Sequence, residues 1–449
     1  MPTLRVSKSD GYAVKSPINP SLYTLLFDRS PILNSPTTSP LGALNLPSFG
    51  NFPGSHAAWK QAVRELNQRM AGNSSFIPIN EKYLDKIDPE DRHWLPTDIH
   101  VNGDGTINIL SYINNLHPGK YADAYKSIAT MISRCIPALE QVLTDLKNLR
   151  DLRVPYDLET SVQEDIPHPT EYCYSYSRDP ESDYEEAEEM WEDGLTKTTP
   201  LPDGFKRPKR TYLPRSLRNT SLQVVVKMED MFANPTSERG YDADWHGDGT
   251  ASEQIIATAV YFYDVDDDSD ISLRFREGIS AIDIRSRIRR ERVMHMFVPS
   301  YAGLSESHHE QIVGDVKIRQ GQVVCYPNVY QHCISGLYPK DPSKPCHIKS
   351  LTLHFVDPSI RIVSTSVVPP QQKEWWASEV LQTPLMRRLP SLMHEKIIES
   401  VDMPMSLDQA SAIGLDLDKR SFKVDNNFYN GRFYMSLDND LDSNHVDFF

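Results

Sequence analysis

Residues 244–250 read D-W-H-G-D-G-T, and a run of strand character, I-I-A-T-A-V-Y-F-Y, follows at 255–263. Glycine supplies the positive φ angles of tight turns, and His and Asp are ordinary turn residues, so one account of the stretch is a plain turn. Side-chain direction gives a second account. Residues two apart in extended backbone share a face, so His246 and Asp248 would aim an imidazole and a carboxylate the same way, with the apolar strand holding the turn rigid. Two imidazoles and one carboxylate on a single face are what a mononuclear ferrous site with open positions requires. The reading therefore turns on whether a second histidine arrives from another strand.

The surrounding sequence has the texture for it. Between 220 and 368 the strand candidates are 221–228, 255–263, 271–276, 292–298, 315–319, 322–326, 331–334 and 348–356. Short strands separated by turn signals predict a jelly roll or barrel. The expected class is α+β: a double-stranded β-helix (jelly-roll, cupin-like) core over residues 216–370, with N-terminal and C-terminal helical additions. Residues 1–54, rich in Pro, Ser and Asn, are expected to wrap the surface in extended form. A mainly helical region with an acidic loop spans 55–215, opening on a helix for which Ser55 is the expected N-cap. Within it, I-H-V-N-G-D-G-T-I-N-I-L reads as a hairpin. A helix over about 118–152 carries the stripe Tyr121, Tyr125, Ile128, Ile132, Ile136, Leu139 and Val142, which is read as core. Helices are expected again in 371–425, and a polar tail in 426–449.

His332 is the best-placed second histidine. It closes V-K-I-R-Q-G-Q-V-V-C-Y-P-N-V-Y-Q-H-C, in which a strand, a Gly321 turn and an apolar strand lead into the imidazole. His308 and His309 lie in a polar segment, and His295 and His354 alternate with apolar residues, which reads as core or surface. With Fe(II) on His246, Asp248 and His332, a 2-oxo acid such as 2-oxoglutarate would need a cation for its distal carboxylate. Lys349 is the first choice and Lys227 the second, with Gln223 beside them, because a buried charge demands a partner. Tyr241, Trp245, Tyr261, Tyr263 and Arg274 are candidates for a substrate pocket, although strand packing alone explains each of them.

Bulk properties narrow the partners. The 449 residues carry 47 basic and 62 acidic side chains, a formal net charge of −15. Nucleic acid and anionic membranes both demand basic surface, so neither is expected as a partner. Five cysteines without paired spacing fit reduced thiols better than a disulfide framework. The start, M-P-T-L-R-V-S-K-S-D-G, lacks a secretory h-region, and a soluble, cytoplasmic protein is expected. A small organic substrate suits this charge best, with the N-terminal helical region as a lid or homodimer interface.

The block W-H-G-D-G-T-A-S-E-Q-I-I-A-T-A-V-Y-F-Y-D-V, with the later G-Q-V-V-C-Y-P-N-V-Y-Q-H, resembles the Fe(II)/2-oxoglutarate dioxygenases of the prolyl-hydroxylase-like kind. More of the chain, about 90–420, resembles a largely fungal family known only as a domain of unknown function, DUF4246. That likeness is carried by W-L-P-T-D-I-H-V, S-Y-I-N-N-L-H-P, S-L-Q-V-V-V-K, D-P-S-K-P-C-H-I-K and F-V-D-P-S-I-R-I-V-S-T. The resemblance implies a double-stranded β-helix and an iron site, and the expected chemistry is hydroxylation, desaturation or cyclisation in fungal secondary metabolism. Relatives tend to carry Glu at the position of Asp248 and Arg at that of Ile348. Asp248 is the form usual among the wider dioxygenases and argues against a halogenase. Ile348 keeps open an iron oxygenase that uses no oxo acid, and a non-catalytic jelly-roll binding protein is the alternative from another class.

Overall fold

A computed structural model gives the structure, which describes residues 4–7, 12–44, 53–73, 76–87, 92–146, 215–233, 243–266, 271–278, 310–337, 344–401 and 403–424. The N-terminal segment supplies β1 (Leu4–Ser7), β2 (Tyr12–Ile18) and the short β3 (Leu25–Leu26). Helices α1 (His56–Arg69) and α2 (Glu81–Lys86) precede β4 (Arg92–His93), the hairpin β5 (Thr97–Val101) and β6 (Ile107–Ile109), and the long α3 (Ala122–Leu146). The β-rich region holds β7 (Thr220–Ala233), β8 (Ile255–Val265), β9 (Ser272–Gly278), β10 (Glu310–Lys317), β11 (Val323–Pro327), β12 (Gln331–Ser335) and β13 (Cys346–Val356). Helices α4 (Lys373–Val380), α5 (Ser391–Glu399) and α6 (Leu407–Val424) follow.

The architecture is mixed α/β with antiparallel sheets and no closed barrel among the described residues. The large sheet runs β1-β2-β7-β13-β8-β11, with β5 also on β7 and β6 on β5. Because β7 is 14 residues long, one edge of it serves two neighbours, β5 along 220–224 and β2 along 228–233. The small sheet runs β10-β9-β12.

Alternation along the strands gives the large sheet two different faces. On the outer face Val224, Val226, Ala257, Ala259, Leu351, Leu353 and Phe355 pack beneath Ile128, Ile132, Ile136 and Leu139 of α3. On the inner face Val260, Phe262, Ile348 and Tyr326 meet Leu273 and Phe275 of the small sheet. Each such side chain contributes roughly 1.5–3 kcal/mol on full burial, which is what clamps the two sheets together. A third cluster joins Trp59, Val63 and Leu66 of α1 to Ile362, Val363 and Val367. Ser55 does cap α1, accepting from the Ala58 amide at 3.3 Å.

Two sequence expectations need correction. The N-terminal segment is extended but does more than wrap the surface: β2 joins the large sheet, and Ile18, Leu25, Phe27 and Leu33 are buried. Apolar residues between its prolines dock into the core. Tyr121 is 42% exposed and sits just before α3, outside the buried stripe. The expected strand 292–298, the acidic run 183–193 and the polar tail lie outside the described residues. No helix among the described residues is long and apolar enough to cross a membrane.

Candidate metal centre

The turn before β8 is built for two ligands. Gly249 adopts φ +70°, where a side chain is strained, and a Cβ there would meet Ile255 Cδ1 at 2.6 Å as well as the Glu253 carboxylate. His246 pairs with His332 through an antiparallel bridge, each amide donating to the other's carbonyl at 3.1 and 2.9 Å. This adds the His246 segment to the small sheet beside β12. Directly paired residues point to the same side, so the two imidazoles meet with centroids 4.4 Å apart. Asp248 is locked by Asn328, which is buried: Asn328 Oδ1 accepts from the Asp248 amide at 3.1 Å, and its Nδ2 donates to the carbonyls of Asp248 at 2.8 Å and Ile255 at 3.0 Å.

Beneath Asp248 lies a row of inner-face residues. Thr258 of β8 sits opposite His354 of β13 and Tyr326 of β11, and His354 sits opposite Val225 of β7. The Thr258 hydroxyl donates to Asp248 Oδ2 at 2.7 Å and lies 3.1 Å from His354 Nδ1. Tyr326 Oη donates to Asp248 Oδ2 at 3.3 Å and lies 3.2 Å from His332 Nε2. His354 Nδ1 is 3.6 Å from Asp248 Oδ1. Burial would raise the Asp248 carboxyl, but the His354, His332 and His246 imidazoles outweigh it and hold the group well below the usual carboxylate range. Burial pushes His332 down to about 3, against the pull of Asp248. Burial and the Asp248 carboxylate together push the Tyr326 phenol well above its ordinary value.

The donors of His246, Asp248 and His332 lie within 4.8 Å of one another, the one such group among the described residues. That span slightly exceeds twice a metal–donor bond of about 2.1 Å, so an ion would draw the side chains inward. The chemistry of the set fits a divalent transition metal. His246 Nδ1 lies 2.9 Å from the Asp244 carbonyl, an arrangement that fixes the tautomer and leaves Nε2 for an ion. His332 Nδ1 is buried without a hydrogen-bond partner, a condition costing about 1–3 kcal/mol that ligation through that nitrogen would relieve.

The other expected site residues divide by face. Lys227 of β7 lies opposite Thr352, one row along from His354 on the inner face, and its charge is felt at His332. Lys349, the first choice for the cosubstrate cation, is corrected: it shares the outer face with Leu351 and Leu353, between Asp230 and Asp264, and binds Asp264 at 2.6 Å. Gln223 is also corrected, because its amide is used up by Asp98 and by the backbone of Ile362. Tyr261 and Tyr263 pack on the outer, α3-covered side, and the Tyr263 hydroxyl donates to Asp230. Trp245 points away from the imidazoles, stacked against Arg274 and Arg276 with guanidinium carbons 5.6 and 4.8 Å from its ring. Arg274 is thus outside the pocket. Tyr241 lies outside the described residues, as do His295, His308 and His309. Sequence reasoning missed Asn328, Thr258 and Tyr326 altogether, and read His354 as a core or surface residue.

No curated protein matches the chain. Among solved structures, it is similar to a bsmA homolog from Methylobium petroleophilum, at 14% identity over 30% of this chain and 42% of that one, with a TM-score of 0.17. It is also similar to TqaL, described as an Fe(II)/α-ketoglutarate-dependent dioxygenase, at 12% identity over 40% of this chain and 57% of that one, with a TM-score of 0.19. A third is the hydroxypropylphosphonic acid epoxidase of S. wedmorenis, 9% identical over 44% of this chain and 92% of that one, with a TM-score of 0.13. The chain spans less than two thirds of the first two, and at these TM-scores the likeness carries no argument. Sequence kinship is firmer: residues 6–379 match the family described as a protein of unknown function, DUF4246, and the chain belongs to that family.

Proposed function

We propose that the chain is a non-haem Fe(II) oxygenase that uses 2-oxoglutarate to oxidise a small organic molecule. The observation that carries this is the convergence of His246, Asp248 and His332 on the inner face between two sheets. The strand order supports a double-stranded β-helix: four strands, β7-β13-β8-β11, face a second layer of β10-β9-β12 extended by the His246 segment. Bound there, ferrous iron with an oxo acid would activate dioxygen.

The chain's own residues do the rest. His246 and His332 would ligate through imidazole nitrogens, and Asp248 would supply the anionic ligand. Thr258 and Tyr326 both donate to Asp248 Oδ2, and His354 Nδ1 stands 3.6 Å from Oδ1, so the carboxylate is oriented from both of its oxygens. Lys227, on the site face, would receive the distal carboxylate of the oxo acid. Val260, Phe262 and Phe275 keep the inner space apolar and exclude water.

The test is anaerobic titration of the Fe(II) protein with 2-oxoglutarate. A visible charge-transfer band and, in air, stoichiometric succinate are expected. Iron bound without that band would remove the cosubstrate. A second reading, an iron oxygenase that needs no oxo acid, is favoured by the existing partner of Lys227, Glu229 at 2.9 Å. It predicts turnover unaffected by omitting 2-oxoglutarate.

A further inference from the structure

Rows across the large sheet set the distances that matter on its inner face. The first row, Val225, His354, Thr258 and Tyr326, lies under Asp248. The second is Lys227, Thr352, Val260 and Val324, and the third is Glu229, Ser350 and Phe262. Same-face rows are about 6–7 Å apart, the reach of a five-carbon diacid held at one end by an ion. Lys227 and Glu229 form an ion pair at 2.9 Å, with side chains only 26% and 20% exposed. Their cross-strand neighbours, Thr352 and Ser350, have small side chains that carry no charge of their own. A cation in this place is already answered by a carboxylate of the chain itself.

We propose that Glu229 is a built-in competitor for Lys227, holding the cation where the distal carboxylate of a 2-oxo diacid would sit. The cosubstrate then enters by exchanging one carboxylate for another on the same ammonium group. No bond to carbon is made or broken and no proton need move. The inference rests on the oxo-acid reading above and adds to it a selectivity. A 2-oxo diacid has to outcompete Glu229, while a 2-oxo monoacid never contacts Lys227 and is indifferent to both residues.

The experiment is equilibrium binding of 2-oxoglutarate and of 2-oxobutyrate to the Fe(II)-loaded protein under anaerobic conditions. Glu229→Gln keeps the size of the side chain and removes the competing charge. It should lower the Kd for 2-oxoglutarate about tenfold and leave that for 2-oxobutyrate within about twofold. Glu229→Ala should act in the same direction, so the result does not depend on the packing of one amide. Lys227→Met should weaken 2-oxoglutarate binding, and adding Glu229→Gln to it should change nothing further, as a coupled pair requires. Unchanged or weaker 2-oxoglutarate binding in both Glu229 variants, with the wild type binding normally, overturns this inference and leaves the oxo-acid reading standing. Failure of every form to bind 2-oxoglutarate, with iron bound, overturns both.

Discussion

Replacing Asn328 with alanine tests how the centre is held together. The side chain is 2% exposed and makes three hydrogen bonds of 2.8, 3.0 and 3.1 Å to backbone groups of Asp248 and Ile255. A typical buried hydrogen bond contributes about 0.5–1.5 kcal/mol net, and each orphaned group costs about 1–3 kcal/mol. Water entering the vacated space would satisfy some of the three, so a loss of about 3 kcal/mol is expected. Because Asn328 touches the backbone of one ligand and lies four residues before another, the loss should extend to the ion. Outer partners of ligands typically affect metal affinity by about 10–100-fold, and the same range is expected here. Urea unfolding of the metal-free protein would measure the first effect, and equilibrium Fe(II) or Co(II) titration the second. Asn328→Asp, which keeps an acceptor for the Asp248 amide but sets a charge against two carbonyls, should do no better. An alanine variant within about 0.5 kcal/mol of wild type, with unchanged metal affinity, would refute the clamp.

Other consequences can be checked in parallel. His332→Ala should abolish binding of one equivalent of Fe(II), whereas His347→Ala, on the outer face beside Asp264 and Asp266, should leave it intact by metal analysis. Lys349→Ala should leave the 2-oxoglutarate titration unchanged, because its ammonium group is bound to Asp264 across the sheet from the centre; a loss comparable to that of Lys227→Met would reverse the assignment of faces. Burial holds the His93 imidazole near 3, below its unfolded value of about 6.5, so the unfolded chain takes up the proton first as pH falls. His93 therefore gives stability that is complete above about pH 6.5 and declines by about 1.4 kcal/mol per unit toward pH 3. The stability gap between wild type and His93→Gln in urea should shrink by about 2 kcal/mol from pH 7 to pH 5, and a constant gap would contradict it.

Much of the centre was legible because its signals are local. His246 and Asp248 stand two apart before an apolar strand, and His332 ends a strand-turn-strand pattern; seven of the eight expected strands coincide with β7 to β13, the eighth lying outside the described residues. What escaped is tertiary. Asn328 and Thr258 look like ordinary turn and strand residues until Asp248 is laid over them. Lys349 and Lys227 both lie on strands, and strand membership alone does not state which face meets the small sheet. A signal did exist in L-T-L-H-F: Thr352 and His354 alternate with Leu351, Leu353 and Phe355, so the polar parity marks the inner face, and Lys349 has the apolar parity. The same count assigns Lys227 to the inner face only once its pairing with Thr352 is known.

The reciprocal backbone bond between residues 246 and 332 bears on how an ion would come and go. Main-chain pairing, finished when the protein folds, fixes the spacing of the imidazoles, so an arriving cation would find two of its donors waiting. Occupancy would then follow the ion's own dehydration and the cellular supply of metal, and a chelator should strip the protein without melting it. An emptied molecule would remain a competent receptor, ready for reloading.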